Sequence, residues 1–505
     1  MRRLLILGAG IMQGPAITIA RKLGLETVVV DGNPQAPSAT AADRFVVTDL
    51  KDKDALVALG RKLKEDGGLA GVMTAGTDFS TSVAFVAEKL DLPGIPYDVA
   101  LNASNKGRMR ACFESYGLLS PRFMVVNQWS DAAVDSYPVV VKPVDNMGGR
   151  GCRRVNSKRE LRTAIEEAIH FSQSHQAIVE EYMEGPEFSV DAIVHNGSVC
   201  ICGVADRHIF FEPYFVEMGH TMPTSYPADT VNTIVATFKA GIYALGIKNG
   251  AAKGDIKLTS RGVMIGEIAA RLSGGFMSGW TYPYASGVEA TKAAIQIAIG
   301  EEPDPCIPTK QWTSAERAVI SIPGIVASYH SAVEGIEKLF THIHVGSVVK
   351  FPTNNVSKCA NVISASPHRD EALTRADQAA RSVLIHLKVP CRATDSFLKS
   401  LGKPFPPDAF KVSRIMLASL KTIANPLRGT LAIVPFPLFS ESGLTDYVGR
   451  TVDEVLDIIR RLTRKALPFR TDGFFGQKFW AALIRGSYQG GVYHVEYCLK
   501  LNARR

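Results

Sequence analysis

Apolar residues fall first into short continuous runs, and amphipathic stretches separate them. Leu4-Leu5-Ile6-Leu7, Val28-Val29-Val30, residues 44–47 and residues 71–74 read as buried strands, and 16–23, 52–64 and 79–90 carry helical spacing between them. Strand and helix alternate in this way over the first hundred residues, which predicts a small parallel sheet with helices on both faces. A new helix opens near Asn102-Ala103-Ser104-Asn105-Lys106, with Asn or Ser available as a cap, and stops at Gly117. Val139-Val140-Val141 then predicts a strand that ends at Lys142-Pro143. A glycine loop, Asn146-Met147-Gly148-Gly149-Arg150-Gly151, follows before a return strand from Cys152. Residues 161–171 form a helix, and Ala177 to Asp191 reads as strand, turn, strand. Beyond a helix at 231–245, the runs 251–258 and 263–268 pair across Thr259-Ser260-Arg261-Gly262. A helix at 288–299 and short strands and helices from 315 to about 389 complete the regular pattern.

At 505 residues the chain is too long for one core. The pattern divides it into a Rossmann-like unit at 1–101, a central core at 102–310, its continuation at 311–390 and a basic accessory domain at 391–505. The fold class is α/β at the N-terminus, followed by an α+β core. No apolar run approaches the roughly 18 residues of a membrane span, and the first apolar run reads as a strand rather than a secretion signal. The eight cysteines are scattered without paired CxxC motifs, which points to a reducing cytoplasm. Cys200 and Cys202 alternate on a strand and read as small apolar residues facing one side. The net charge of +8 resides in the tail, where 18 Lys/Arg stand against 9 Asp/Glu beyond Pro390. Those basic residues are dispersed, so nucleic acid is not the expected partner. The tail instead predicts an amphipathic helix at 451–464, with Pro468 as its stop and an apolar stretch at 474–480.

The candidate chemistry lies in the middle of the chain. Glycines without Cβ let backbone N–H groups turn toward an anion, and Lys142 at a strand end supplies a point charge for a phosphate. Asp255 and Glu267 sit on the predicted hairpin, where two carboxylates on one side suit Mg²⁺, with Arg271 four residues on. For that pair alone, an ordinary surface hairpin with a salt bridge is the simpler explanation. Gly8-Ala9-Gly10 with Asp31 resembles a dinucleotide fingerprint, but Gln13 stands where the third glycine belongs.

In order and spacing, the lysine helix, the lysine strand with its glycine loop, Glu180-Glu181-Tyr182-Met183, Glu187, and Asp255 and Glu267 with Arg271 resemble the ATP-grasp superfamily. The likeness is to its carboxylate–amine ligases and to the carbamoyl-phosphate synthase and biotin carboxylase group, over about residues 1–390. The resemblance implies a pre-ATP domain followed by an ATP-grasp fold. It implies that Lys106 and Lys142 hold the ATP phosphates while Gly148, Gly149, Arg150 and Gly151 close over them. Glu180, Glu181, Tyr182 and Met183 would line the adenine, Glu187 would take the ribose, and His220 would lie near the phosphates. Asp255 and Glu267 would bind Mg²⁺ (or Mn²⁺), and Arg271, with Lys142, would act in catalysis. The departures are Asp255, shorter than the usual Glu, and Ala269, where an Asn ligand is common. The implied activity is an ADP-forming ligase that joins a small carboxylate to an amine, with a homodimer as the expected assembly. Three alternatives stand beside it: activation of bicarbonate, a dinucleotide-dependent oxidoreductase, and a nucleotide-binding scaffold without catalysis.

Overall fold

The computed structural model describes residues 2–331, 334–423, 450–464 and 476–502. Of the tail features anticipated above, Pro468 and residues 474–475 lie outside these limits. Two compact units make up the chain. One comprises Met1–His208, Gly219–Glu316 and Ala365–Leu373, and the other Ile209–Met218, Arg317–Ser364 and Thr374–Arg505.

The first unit begins with strands β1 (Arg3–Leu7), β2 (Glu26–Asp31), β3 (Arg44–Val47) and β4 (Leu69–Met73), paired in parallel in the order β3-β2-β1-β4. Helices α1 (Gly14–Lys22), α2 (Lys53–Glu65) and α3 (Ser80–Lys89) form the crossovers. Successive residues of β1 feed opposite faces: Leu4 and Ile6 join one apolar core, and Leu5 and Leu7 join another. Such a strand is buried on both sides, which is why its sequence is continuously apolar rather than alternating.

The helix expected to open between Asn102 and Lys106 is α5 (Lys106–Ser115), and a further helix, α4 (Tyr97–Ser104), precedes it. Asn105 is extended and its side chain accepts the Arg108 N–H at 3.0 Å, so it caps α5 and breaks the run. That break makes Lys106 the first residue of α5.

Strands β5 (Phe123–Val126), β6 (Val139–Pro143), β7 (Arg153–Val155) and β8 (Ala177–Glu181) form an antiparallel sheet in the order β5-β8-β6-β7. Helix α6 (Lys158–Phe171) packs Leu161, Ala164, Ile165 and Ala168 against it. A larger sheet contains β9 (Glu187–His195), β10 (Ser198–Phe210), β11 (Val216–Met222), β12 (Gly250–Thr259), β13 (Gly262–Ala269) and β14 (Thr313–Val319), in the order β13-β12-β9-β10-β11-β14. Helix α7 (Ala228–Leu245) covers it through Ile234, Phe238 and Ile242. Gly254 of β12 is required there, because a Cβ would stand 2.6 Å from the Phe238 ring. Two further helices, α8 (Tyr282–Ser286) and α9 (Ala290–Ala298), follow the hairpin.

In the second unit, β15 (Gly324–Ser331) pairs with β17 (Val348–Val349) and β19 (Val383–Leu387), and β16 (Lys338–Thr341) pairs with β18 (Ala360–Ser366). The tail helices Val452–Arg464 and Gln477–Asn502 belong to this unit. Of the apolar face anticipated for the former, Val452, Val455, Leu456 and Ile459 are buried with Phe479, Trp480 and Leu384, and the side chain of Leu462 lies outside the described residues.

Candidate active site

Lys142 ends β6, and its Nζ lies 2.5 Å from Oε2 of Glu180 on the neighbouring strand β8. Arg110, on the inner face of α5, donates from Nε to the other Glu180 oxygen at 2.7 Å. Its two remaining guanidinium nitrogens donate to the carbonyls of Ile265 (3.1 Å) and Gly266 (2.7 Å) on β13. One side chain thus ties a helix to strands from two sheets. Burial opposes the Glu180 charge, but Arg110 and Lys142 outweigh it and hold the carboxyl down at about 2.

The glycine loop follows β6. Gly148, Gly149 and Gly151 have φ of +71°, +73° and +67°, left-handed values that side chains other than glycine rarely adopt. Lys106 holds the start of this loop: its amide donates to Val144 O at 2.7 Å and its Nζ to Asn146 O at 2.8 Å. The same ammonium stands 3.5 Å from Glu267. Arg150 donates to Met147 O and lies 3.7 Å from Asp78, which enters from the loop after β4. Burial pushes the Asp78 carboxyl up against the pull of Arg271, Lys106 and Arg150.

Asp255 and Glu267 are register partners across the anticipated β12–β13 hairpin because a bulge between Asp255 and Ile256 skips Gly266, which the pairing of Thr259 with Gly262 would otherwise set against Asp255. Burial would raise the Glu267 carboxyl, yet Lys106, Lys142, Lys253 and Arg271 together hold it down at about 2. Asp255 pairs with Lys253 and lies 3.1 Å from Arg207. Two carboxylates on one side of a hairpin, with Lys106, Lys253 and Arg207 beside them, fit a Mg²⁺ that also takes phosphate oxygens. Arg271 donates to Leu272 O at 2.9 Å, and its other end lies 3.8 Å from Met147 Sδ at the mouth of the loop.

Of the remaining candidates, Tyr182, Met183 and Glu187 meet around Lys257, whereas Glu181 and His220 have other partners. The guanidinium of Arg154 sits 4.4 Å from the centre of the Tyr182 ring, and Lys257 Nζ donates to Met183 O at 3.1 Å. Glu187 meets Arg207 and lies 3.4 Å from Lys257. Glu181 donates its N–H to Arg122 O at 2.9 Å, and its carboxylate receives Arg261 at 3.1 Å. His220 is buried on β11, with Nδ1 3.0 Å from Glu316. Sequence reasoning did not name Asp78, Arg110, Arg207, Lys253 or Lys257 as site residues. For Lys253 and Lys257 a signal was present, since they flank Asp255 at i−2 and i+2 and therefore share its face of the strand.

Asp191 lies on β9 opposite Lys253 and is 3% exposed, and its oxygens form no well-aligned hydrogen bond. Burial pushes this carboxyl up to about 6 despite Ser273, Lys253 and Arg271. An acid whose folded value is raised destabilises the fold once ionised, fully above about 6 and not at all below its unfolded value near 4. Asp191→Asn is therefore expected to gain about 3 kcal/mol on the wild type between about pH 4 and about pH 8. Denaturant unfolding at the two pH values checks this, and a constant difference between the proteins would refute it.

The N-terminal glycines are committed elsewhere. Asp31 accepts the Ala9 N–H at 2.8 Å and the Asn33 N–H at 2.8 Å, which occupies both its oxygens. The Gln13 side chain lies against Gly8 and Gly10 and donates to Ala75 O. The space that a third glycine would leave for a pyrophosphate is filled by Gln13, and the acid that would take a ribose caps the loop itself.

Comparison with known proteins agrees with this geometry. The ATP-grasp domain family matches residues 135–279, which hold the glycine loop, Lys142, Glu180, Asp255, Glu267 and Arg271, and the ATP-grasp N-terminal domain matches residues 17–94. This chain carries an ATP-grasp domain. A third family, L-amino acid ligase C-terminal domain 2, matches residues 323–388 of the ATP-grasp chain. An uncharacterized protein, y4rH, of Sinorhizobium fredii (strain NBRC 101917 / NGR234) is 22% identical over 387 residues, covering 73% of this chain and 79% of its own. The fold resembles L-amino acid ligase from Bacillus licheniformis, with a TM-score of 0.67 at 21% identity over 77% of this chain and 99% of that one. It also resembles phosphoribosylglycinamide synthetase from Anaerococcus prevotii, with a TM-score of 0.61 at 23% identity over 77% of this chain and 100% of that one. Among the described residues, no helix is long and apolar enough to cross a membrane.

Proposed function

We propose that this ATP-grasp protein is an ADP-forming ligase that activates a carboxylate as an acyl phosphate and joins it to an amine. The observation that carries this reading is the convergence of Lys106, Lys142, Lys253 and Arg271 on Glu267 beside a left-handed glycine loop. Lys142 also pairs with Glu180 and Lys253 with Asp255, so four cations stand against three carboxylates, and the surplus positive charge suits a polyphosphate chain. Lys106 and Lys142 meet the phosphates, and the N–H groups of residues 148–151 close over them. Tyr182 and Met183 line the base, and Glu187 takes the ribose. Asp255 and Glu267 would hold Mg²⁺, which supplies charge neutralisation along the phosphates. The acid's oxygen attacks the γ-phosphorus and ADP leaves, with Arg271 stabilising the charge of the transferred group. The amine then attacks the acyl carbon, phosphate departs and the amine loses a proton. The match to the L-amino acid ligase C-terminal domain supports an amino acid as one substrate.

A screen of amino acid and amine pairs for ADP release tests the reading. ADP release with bicarbonate alone would favour a carboxylating enzyme, and no ADP with any pair would favour a scaffold.

Lys142→Ala is expected to weaken ATP binding by about 1.5–3 kcal/mol, roughly 10- to 150-fold in Kd. The protein should still fold, because Glu180 keeps its bond to Arg110. Calorimetric titration with ATP–Mg²⁺ measures this, and an unchanged Kd would remove Lys142 from the site.

A further inference from the structure

Three cysteines meet outside the ligase cluster. Cys200 and Cys202 lie two residues apart on β10, and Cys306 comes from the connection between α9 and β14. Sγ of Cys202 is 4.0 Å from Sγ of Cys306, and Sγ of Cys200 is 4.0 Å from the Cys306 carbonyl oxygen. Cys200 is exposed, whereas Cys202 and Cys306 are 3% and 8% exposed. One thiol therefore faces solvent, and two stand in contact behind it. A disulfide requires a sulfur separation of about 2 Å and tolerates little else, so a contacting pair is within side-chain rotation of bonding.

We propose that Cys200, Cys202 and Cys306 form an oxidant-accepting thiol site, in which a hydroperoxide is reduced at Cys200 and a Cys202–Cys306 disulfide is the product. The sulfur of Cys200 attacks the peroxide oxygen, becomes a sulfenic acid and releases an alcohol, or water from hydrogen peroxide. Cys306 attacks the Cys200 sulfur, and water leaves as a Cys200–Cys306 disulfide forms. Cys202 then attacks the Cys306 sulfur and Cys200 departs as a thiol, ready for another turn. Two thiols are oxidised for each hydroperoxide reduced. Burial and the neighbouring Cys306 push the Cys200 thiol up, so exposure rather than acidity makes it the point of entry, and the electrostatics suit the later steps. A hydrogen bond from Cys202 lowers the Cys306 thiol, against burial and with help from Cys200, whereas the Cys202 thiol is pushed well up. Cys306 is thus the better internal nucleophile. By contrast, burial pushes Cys152 up to about 11 and Cys359 up to about 12, which leaves both inert.

The product would link two points 104 residues apart and fix the chain leaving α9 to β10. Cys202 and Cys306 already belong to the apolar core that α9 shares with Leu4 and Ile6 of β1, so the bond would form inside a packed region.

The test is to treat the native full-length protein with hydrogen peroxide, alkylate it in denaturant and map the peptides by mass. Two of the eight thiols should become unreactive, with the Cys202 and Cys306 peptides joined. Cys200→Ser should reach the same product about tenfold more slowly, since the exposed point of entry is gone. Cys202→Ser should stop at a Cys200–Cys306 disulfide, and this variant decides the matter if Cys306→Ser does not fold. Eight free thiols, a sulfinic acid on Cys200 without any cross-link, or pairing unrelated to these three cysteines would each overturn the proposal.

Discussion

Glu267→Gln is expected to lower ADP-forming turnover by about 10²–10³-fold while ATP affinity stays within about tenfold of the wild type. Glu267 is the carboxylate on which Lys106, Lys142, Lys253 and Arg271 converge, and those cations keep it ionised at all ordinary pH. An amide has the same shape but no charge, so it holds a hard divalent cation poorly against water. Asp255 would remain, already shared between Lys253 and Arg207. The nucleotide would still meet the lysines, and with a negative charge removed their attraction for phosphate grows slightly. The loss should therefore appear in turnover rather than in binding. Measuring ADP release across a Mg²⁺ titration separates the two, since the variant should need more Mg²⁺ and reach a lower plateau. Equal turnover at limiting Mg²⁺ would remove Glu267 from the metal site.

The two halves of this site differed in how far the sequence revealed them. The Asp255–Glu267 hairpin was legible as a hairpin, because period-two alternation and a short polar turn are local properties, but the bulge that sets Asp255 against Glu267 rather than Gly266 was not. Lys142 and the glycine loop were legible for the same reason. Arg110 was not. On α5 it resembles any solvated arginine of an amphipathic helix, and its burial depends on Glu180, 70 residues away, and on two carbonyls of a strand about 155 residues away. Asp78 was equally hidden: Gly76-Thr77-Asp78 reads as a polar loop, and its link to Arg150 arises only from tertiary folding. The cap at Asn105 was legible, but the short helix α4 before it was not anticipated, because only eight residues separate Pro96 from that cap. Gln13 shows a third case. The imperfect fingerprint was visible in the sequence, but that the glutamine side chain fills the gap itself is a matter of packing.

Arg110→Met is expected to cost about 3–5 kcal/mol of stability at neutral pH, because it removes one partner of a buried ion pair and leaves the other charged. The guanidinium is fully enclosed and makes three hydrogen bonds, to Glu180 Oε1, Ile265 O and Gly266 O. Methionine fills much of the volume but satisfies none of these acceptors. The sign of the pH dependence identifies the cause. In the wild type the Glu180 carboxyl is held down at about 2, so its contribution is complete above the unfolded value of about 4.5 and is lost as pH falls through about 2. Without Arg110, burial is opposed by Lys142 alone and the carboxyl rises, so protonation relieves part of the cost. The stability gap between wild type and variant should therefore narrow on going from about pH 7 to about pH 4. Arg110→Lys, which keeps the charge but loses the fork to the two carbonyls, should fall between them. Urea unfolding of the three proteins at both pH values gives the comparison. A gap below about 1 kcal/mol, or one that does not change with pH, would show that the Arg110–Glu180 pair contributes little to holding α5 against β8 and β13. The same variant bears on the site, since Lys142 then becomes the sole counter-charge of Glu180 and is less available to a phosphate. ATP affinity should fall together with stability, although Arg110 itself faces no ligand.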